Sequence, residues 1–272
     1  MDKIFCTVGI LTFNSANTLR RALESIKDFA EIIVCDGGSA DATLEIAKEY
    51  GCKIIFQNSQ FKDPDNRIKD FAGARNQCLD EANFDWFLYI DSDEAISPGL
   101  KLEIEQIVAS DVGAHIYNVP LGLWIHGKLM RYSSNYPGYQ NRFFNKKSGA
   151  RFFKTVHERI KFDESVNSVK CLKNPWYVFC TDEEADHYFR ETRKYLKIEA
   201  QRYQNLPFID SLRRCSRYLK NVLKIIIKSF RNYFLHGFRY SVPPQMEIGR
   251  ALYQLAVVYI LLINQVRRLF KF

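Results

Sequence analysis

The sequence predicts an α/β protein: a doubly wound, largely parallel sheet with a helical extension towards the C-terminus. Three observations carry that prediction. Short apolar runs and amphipathic helical patterns alternate through roughly residue 110, the signature of a parallel sheet with crossover helices. Polar motifs rich in Asp, Asn and Ser stand directly after the predicted strands, where open α/β sheets bind their ligands. From Asp186 onward the pattern turns helical and basic.

Phe5 to Thr12 reads as the first strand. Asn14 or Ser15 is placed to cap a helix that carries Leu19, Ala22, Leu23 and Ile26 at helical spacing. Glu31 to Cys35 is a second strand, and the helix after it runs to Tyr50, where Gly51 is a helix stop. Lys53 to Gln57 is a third strand. Asn58 to Ile68 is a polar loop built around Asp63-Pro64-Asp65-Asn66. Phe71 to Ala82 reads as a helix. Trp86 to Ile90, five apolar or aromatic residues after Asp85, is then a strand buried on both faces that runs straight into Asp91, Asp93 and Glu94. Ser97-Pro98 opens a helix to about Ser110, with Ser as the cap and Pro in the first position.

Beyond Val112 the apolar runs shorten (His115 to Val119, Arg142 to Phe144) and Gly and Pro interrupt them, so 112–190 reads as a mixed, loop-rich half attached to the sheet. The organisation expected is a catalytic domain over 1–190, divided near residue 111, and a helical extension over 191–272. Pro207 and Pro243-Pro244 are the expected breaks in the extension.

Charge is distributed unevenly. Residues 190–272 hold 17 Lys and Arg against 4 Asp and Glu, whereas 1–189 hold 22 against 27. Such a tail fits an anionic partner. Seven scattered cysteines without a C-x-x-C pair fit reduced thiols and a cytoplasmic setting. No secretory signal is visible after Met1, and no uninterrupted apolar run reaches the length of a spanning helix; Ala251 to Ile263 is interrupted by Gln254.

Four motifs fall at the expected binding edge: Thr12-Phe13-Asn14, Asp36-Gly37-Gly38-Ser39-Ala40-Asp41, Ala74-Arg75-Asn76 and Asp91-Ser92-Asp93. Close carboxylates repel one another, and a bound cation or a cationic partner would relieve that repulsion; a hard divalent ion such as Mg2+ or Mn2+, with phosphate oxygens completing its shell, is the candidate. The two glycines permit close backbone approach, and Arg75 offers a fork of donors to a phosphate. The plainer readings are a solvated turn at Asp91-Ser92-Asp93, a capped turn at Asp36, and an Arg75 paired with Asp80 or Asp85.

Taken together, these four motifs resemble the family 2 glycosyltransferases of the GT-A fold, which move a sugar from a nucleotide diphosphate with inversion. Arg142-Phe143-Phe144, Gly149-Ala150-Arg151-Phe152 and Val156-His157-Glu158 resemble the bacterial branch that builds lipopolysaccharide core and related surface glycans. His187-Tyr188, Arg193 and Tyr195 to Ala200 do so too. The resemblance covers residues 5–200. It implies that Thr12, Phe13, Asn14, Asp36, Arg75 and Asp91 contact a nucleotide-sugar donor, a UDP-sugar by preference. It also implies that Asp93, with Asp91, holds Mg2+ or Mn2+, with His187 a further candidate ligand. The Glu-Asp pair in which many members carry the base is missing here, and Glu183-Glu184 lies further on. Glu158 is therefore the expected base, with His157 as its alternative.

The expected acceptor is a glycan or lipid-linked glycan; a protein or peptide acceptor is the rival enzyme reading, and a non-catalytic membrane-docking protein the rival from another class. Residues 213–239 interleave Lys and Arg with Leu, Ile and Phe at helical spacing, and Met246 to Phe270 forms a second helix. These features point to a peripheral site on the inner face of an anionic membrane, or to homo-oligomers formed through the same helices. No nucleic-acid motif accompanies the charge.

Overall fold

The structure is a computed structural model that describes residues 3–63, 67–110, 115–154 and 158–270. The chain forms two compact units, Met1–Gly122 with Gly138–Val178, and Leu123–Pro137 with Phe179–Phe272.

In chain order the elements that build the sheet are β1 (Ile4–Thr12), α1 (Ala16–Ile26), β2 (Phe29–Asp36), α2 (Thr43–Glu49), β3 (Lys53–Phe56), α3 (Phe71–Asp80), β4 (Trp86–Asp91), β5 (Glu94–Ile96) and α4 (Pro98–Ser110). They continue with β6 (Ile116–Ile125), β7 (Lys128–Met130), β8 (Tyr139–Asn145), β9 (Arg151–Phe153), β10 (Arg159–Lys161), β11 (Val169–Cys171) and β12 (Trp176–Phe179), of which β9 and β10 form a separate antiparallel pair. The strand order is β3-β2-β1-β4-β8-β6-β12-β5. The β3-β2-β1-β4 half is parallel, and β8 joins it antiparallel between β4 and β6.

β1 is the centre of the parallel half, buried from Cys6 to Thr12, as a strand covered by helices on both faces must be. Its register sets the geometry of the edge. Thr12 lies opposite Asp36 of β2 and Leu11 opposite Asp91 of β4, so both acidic motifs reach the same end of the sheet. α1 covers one face with Leu19, Ala22, Leu23 and Ile26, all fully buried and all on its predicted stripe. On the other face α3 packs Ala72, Ala74, Cys78 and Leu79 against Phe87 and Tyr89. Ser97 caps α4 as expected, its Oγ accepting from Leu100 N at 3.1 Å. The strand fragments read in the second half are parts of the longer β6 and β8. Proline does not break β6, because Pro120 pairs by register with Tyr139 while the neighbouring Leu121 N–H donates to Gly138 O.

In the second unit, α5 (Asp182–Asp186), α6 (Tyr188–Thr192) and α7 (Leu196–Arg202) precede two long helices, α8 (Phe208–His236) and α9 (Pro244–Phe270). α8 starts five residues before the interleaved basic pattern, directly after Pro207, and Gly237 closes it with φ 67°. Ser211 bonds Gln265 and Asn221 bonds Gln254, so α8 and α9 run antiparallel. By length and composition α9 could cross a membrane, with a mean hydropathy of 1.6, because the polar residues that interrupt its apolar run are uncharged amides.

Gly9 of β1 leaves no room for a side chain, since a Cβ there would meet the Phe87 ring at 2.7 Å and Cys78 Cβ at 3.2 Å. Gly9→Ala is expected to cost about 1–3 kcal/mol through overpacking, read as a lowered midpoint in urea unfolding.

Candidate active site

Three loops meet at the carboxyl end of the parallel strands. Asp36 ends β2 with no exposed surface, and its carboxylate is saturated from within. Oδ1 accepts from Thr12 Oγ (2.8 Å) and Ser39 Oγ (2.6 Å), and Oδ2 accepts from the Gly38 and Ser39 amides (2.7 Å each). A buried carboxylate needs such donors, and these fold the Gly37-Gly38-Ser39 turn around it. Asn14 stands at φ 49°, a left-handed conformation that Asn tolerates, and it ties the first loop to the second. Its amide donates to Ser39 Oγ and its side-chain oxygen accepts from Ala40 N, both at 2.8 Å. Ser15 Oγ lies 2.9 Å from Ser92 Oγ, which joins the first loop to the Asp91-Ser92-Asp93 turn. Phe13 is 46% exposed and lies over Gly37, where a Cβ would meet its ring at 3.1 Å.

Beside these loops two buried arginines sit on carboxylates. Arg75, from α3, donates through Nη2 to Asp91 Oδ1 (2.5 Å) and through Nε to Glu158 Oε1 (2.6 Å). Arg142, from β8, holds Glu94 with both Nη atoms, Nη2 to Oε1 at 2.9 Å, and Glu94 also accepts from the Trp176 indole (3.1 Å) and the Asp91 amide (2.8 Å). Tyr89 lies at 4.5 Å from the Arg75 guanidinium and 4.9 Å from that of Arg142. Burial opposes charge on Arg75, but the Asp91 and Glu158 carboxylates outweigh it and push its pKa up. The partly exposed Asp91 loses some hydration beside these groups, and Arg75 with Arg142 more than offsets that, holding its carboxyl below the usual range.

The edge thus gathers Thr12, Phe13, Asn14, Asp36, Arg75, Asp91 and Glu158 within the first unit, and the exposed Asp93, two residues past Asp91, accepts at its carbonyl from Arg21 of α1 (2.8 Å). His157 lies outside the described residues. His187 is an exposed residue of the second unit, at the junction of α5 and α6. One expectation is corrected: Glu94 stays beside Asp91, whose amide it accepts from, but it is buried and does not open onto the edge with Asp91 and Asp93. β5 starts at Glu94 and turns its side chain into the sheet, onto Arg142. The plain pairing of Arg75 with Asp80 or Asp85 does not occur either, since Asp80 pairs with Arg151 and Asp85 with Lys147.

Several contributors escaped the sequence reading. Gln57 donates to Cys35 O at 3.1 Å, and Lys62 reaches back to Gly37 O at 2.7 Å, closing the far side of the second loop. The Arg142–Glu94 pair left one trace, a cation inside an otherwise apolar strand pattern, Arg142-Phe143-Phe144.

Among the described residues no three His, Cys, Asp or Glu side chains form a ready-made metal cage. A Mg2+-type ion does not need one, because it binds through one or two carboxylates with phosphate and water oxygens. Asp93 is exposed, and the Asp91 side chain keeps 44% of its surface despite the bond to Arg75. Two accessible hard oxygen donors at the end of one strand fit such an ion.

Fold and site define an α/β enzyme whose ligands meet loops at the carboxyl ends of parallel strands. The profile of glycosyl transferase family 2 matches residues 7–162, more than half of the chain. The chain belongs to that family: it is a glycosyltransferase of GT-A type with a helical C-terminal part. An uncharacterised glycosyltransferase of Rickettsia felis is 28% identical over 263 residues, covering 88% of this chain and 83% of the relative. The glycosyltransferase SunS of Bacillus subtilis is 32% identical over 102 residues, 37% of this chain and 23% of its own. Among solved structures, Staphylococcus aureus TarS 1–349 with UDP-GlcNAc aligns over 95% of this chain and 82% of its own, at 15% identity and a TM-score of 0.47. Glucosyl-3-phosphoglycerate synthase of Mycobacterium tuberculosis, solved with Mn2+, UDP and phosphoglyceric acid, aligns over 43% of each chain, at 20% identity and a TM-score of 0.34.

Removing one partner of a buried ion pair strands the other charge. Arg142→Met is expected to cost about 3–5 kcal/mol in chemical denaturation, and adding Glu94→Gln to it to recover part of that loss.

Proposed function

We propose that this glycosyltransferase moves a hexose, with inversion, from a nucleotide sugar, a UDP-sugar by preference, to a glycan or lipid-linked acceptor such as lipopolysaccharide core. One observation carries the reading: the register of β1 brings Asp36 and Asp91 to one edge, and hydrogen bonds join the loops that follow into a single rim. In this reading Asp36 acts by shaping the loop whose backbone meets the nucleoside, since its own oxygens are saturated. Phe13 offers an exposed ring for a base to stack on, with Thr12 and Asn14 fixing the loop beneath it. Asp93 and Asp91 would hold Mg2+ or Mn2+, and the ion's chemistry is neutralisation of charge on the departing diphosphate. Arg75, already bonded to Asp91, keeps that carboxylate ionised and oriented.

Glu158 is the proposed base. The acceptor oxygen forms its bond to the anomeric carbon, the bond to the nucleoside diphosphate breaks on the opposite face, and Glu158 takes the hydroxyl proton. The Arg75 Nε–Glu158 bond at 2.6 Å favours a second reading, in which Glu158 positions Arg75 and binds the donor only indirectly. A protein or peptide acceptor is the rival reading of the acceptor half; transfer from a donor panel to glycan against peptide acceptors separates the two.

Asp93→Ala is expected to abolish metal-dependent transfer while leaving the thermal midpoint unchanged, and retained turnover would remove the metal role. Glu158→Gln is expected to lower kcat by about 100-fold or more with little change in donor KM. A rise in donor KM alone would instead support the positioning reading.

A further inference from the structure

The long helices leave unpartnered a surface that the glycosyltransferase reading does not use. On α8, Leu212, Leu219, Leu223, Ile226, Phe230 and Phe234 form a stripe exposed to between 45% at Leu219 and 80% at Phe234. It runs for about 33 Å at 1.5 Å per residue. On α9, Ile248, Leu252, Leu255, Tyr259, Leu262 and Val266 form a second exposed stripe, and no charged residue occurs between Arg250 and Arg267. Soluble monomers rarely leave apolar surface of this extent uncovered.

The two stripes face the same way. At about 100° per residue, the α8 stripe lies roughly 130° round from the residues that meet α9, and the α9 stripe roughly 120° round from those that meet α8, both in the same rotational sense. Because the helices are antiparallel, equal rotations turn both stripes to one side of the pair. Along the outer flank of α8 stand Arg213, Arg217, Lys220, Lys224 and Arg231, all exposed, and no Asp or Glu occurs between Asp210 and Glu247.

We infer that this face is a monotopic membrane anchor: α8 and α9 lie in the plane of an anionic bilayer surface, with both stripes in the acyl boundary and the α8 cations among lipid phosphates. Apolar area beside cations is what interfacial binding requires, and Lys and Arg stems reach up to the headgroups. Charge favours an anionic surface over a second copy of this chain, since the cations stand about 100° round α8 from the stripe and a copy paired through the stripes would leave them without a partner. Packing argues against a spanning α9. Its opposite face is committed inside the unit through Val257, Val258 and Leu261, and through Asn264 and Gln265, which donate to Ala200 O and Leu206 O.

The test is flotation of the full chain with vesicles of phosphatidylcholine, alone or with about one part in three of phosphatidylglycerol. The chain is expected to float with the anionic vesicles, at least about tenfold less with the neutral ones, and to be released by alkaline carbonate. Phe230→Glu with Phe234→Glu, and independently Tyr259→Glu, should each lower flotation by about tenfold while helical circular dichroism is unchanged. Lys220→Gln with Lys224→Gln should lower it severalfold and flatten its salt dependence. Absent flotation, equal binding to neutral vesicles, or binding indifferent to the Phe and Tyr substitutions would overturn the inference. Resistance to carbonate would overturn it in favour of a spanning helix. A lipid-free dimer dissociated by the same substitutions would overturn it in favour of a subunit interface.

Discussion

Everything at the sheet edge depends on two guanidinium groups kept out of water beside one another. Arg75 and Arg142 flank Tyr89 at the end of β4, where an isolated cation would be costly to bury. The fold meets that constraint by assigning each a carboxylate, Asp91 with Glu158 for one and Glu94 for the other. The tyrosine face between them adds a cation–π contact that is worth most where water is excluded. Moving any one of these residues leaves a charge unmatched, so β4, β5, β8, α3 and the segment at Glu158 are fixed together. The accessible side of Asp91, and Asp93 beyond it, are presented on that frame.

Polar satisfaction then organises the loops. Asp36 has no exposed surface, and the four donors around it come from the turn and from β1. Asn14 and Ser15 carry the same logic outward, linking β1's loop to those of β2 and β4. A rim fixed in this way needs little reordering when a ligand binds, and preorganisation of that kind is what a transferase can use for orientation.

Much of this was legible in the sequence because it rests on local signals. The parallel half follows from strand-helix alternation, and the α1 stripe of Leu19, Ala22, Leu23 and Ile26 lies on the buried face its spacing predicts. The motif residues at the ends of β1, β2 and β4 fall along one edge, as a doubly wound sheet requires. What could not be read was pairing across long separations. Arg75 is 83 residues from Glu158, and Arg142 is 48 from Glu94, and no spacing rule connects them. Glu94 was grouped with Asp91 and Asp93 because adjacency in sequence stands in for adjacency in space. The turn between β4 and β5 sends the Glu94 side chain inward onto Arg142 while Asp93 stays exposed, a difference that adjacency in sequence does not show. The tail helices were extended beyond their interleaved pattern by Pro207 and Pro244, each of which fits the start of a helix as well as the end of a segment.

Range decides how the tail's charge can act. At physiological ionic strength the Debye length is about 8 Å, so the excess of Lys and Arg after residue 190 is felt only by a partner that approaches closely. A diffuse positive tail would give weak, salt-sensitive attraction and nothing more. α8 differs because its cations share a helix with an exposed apolar stripe and flank it along most of its length. Burial of that stripe holds the charges within a Debye length of the surface they face, and the charges in turn select an anionic surface over a neutral one. Each contribution is modest alone, and the helix couples them by fixing their phase, because apolar and basic positions that drifted in register would face different sides.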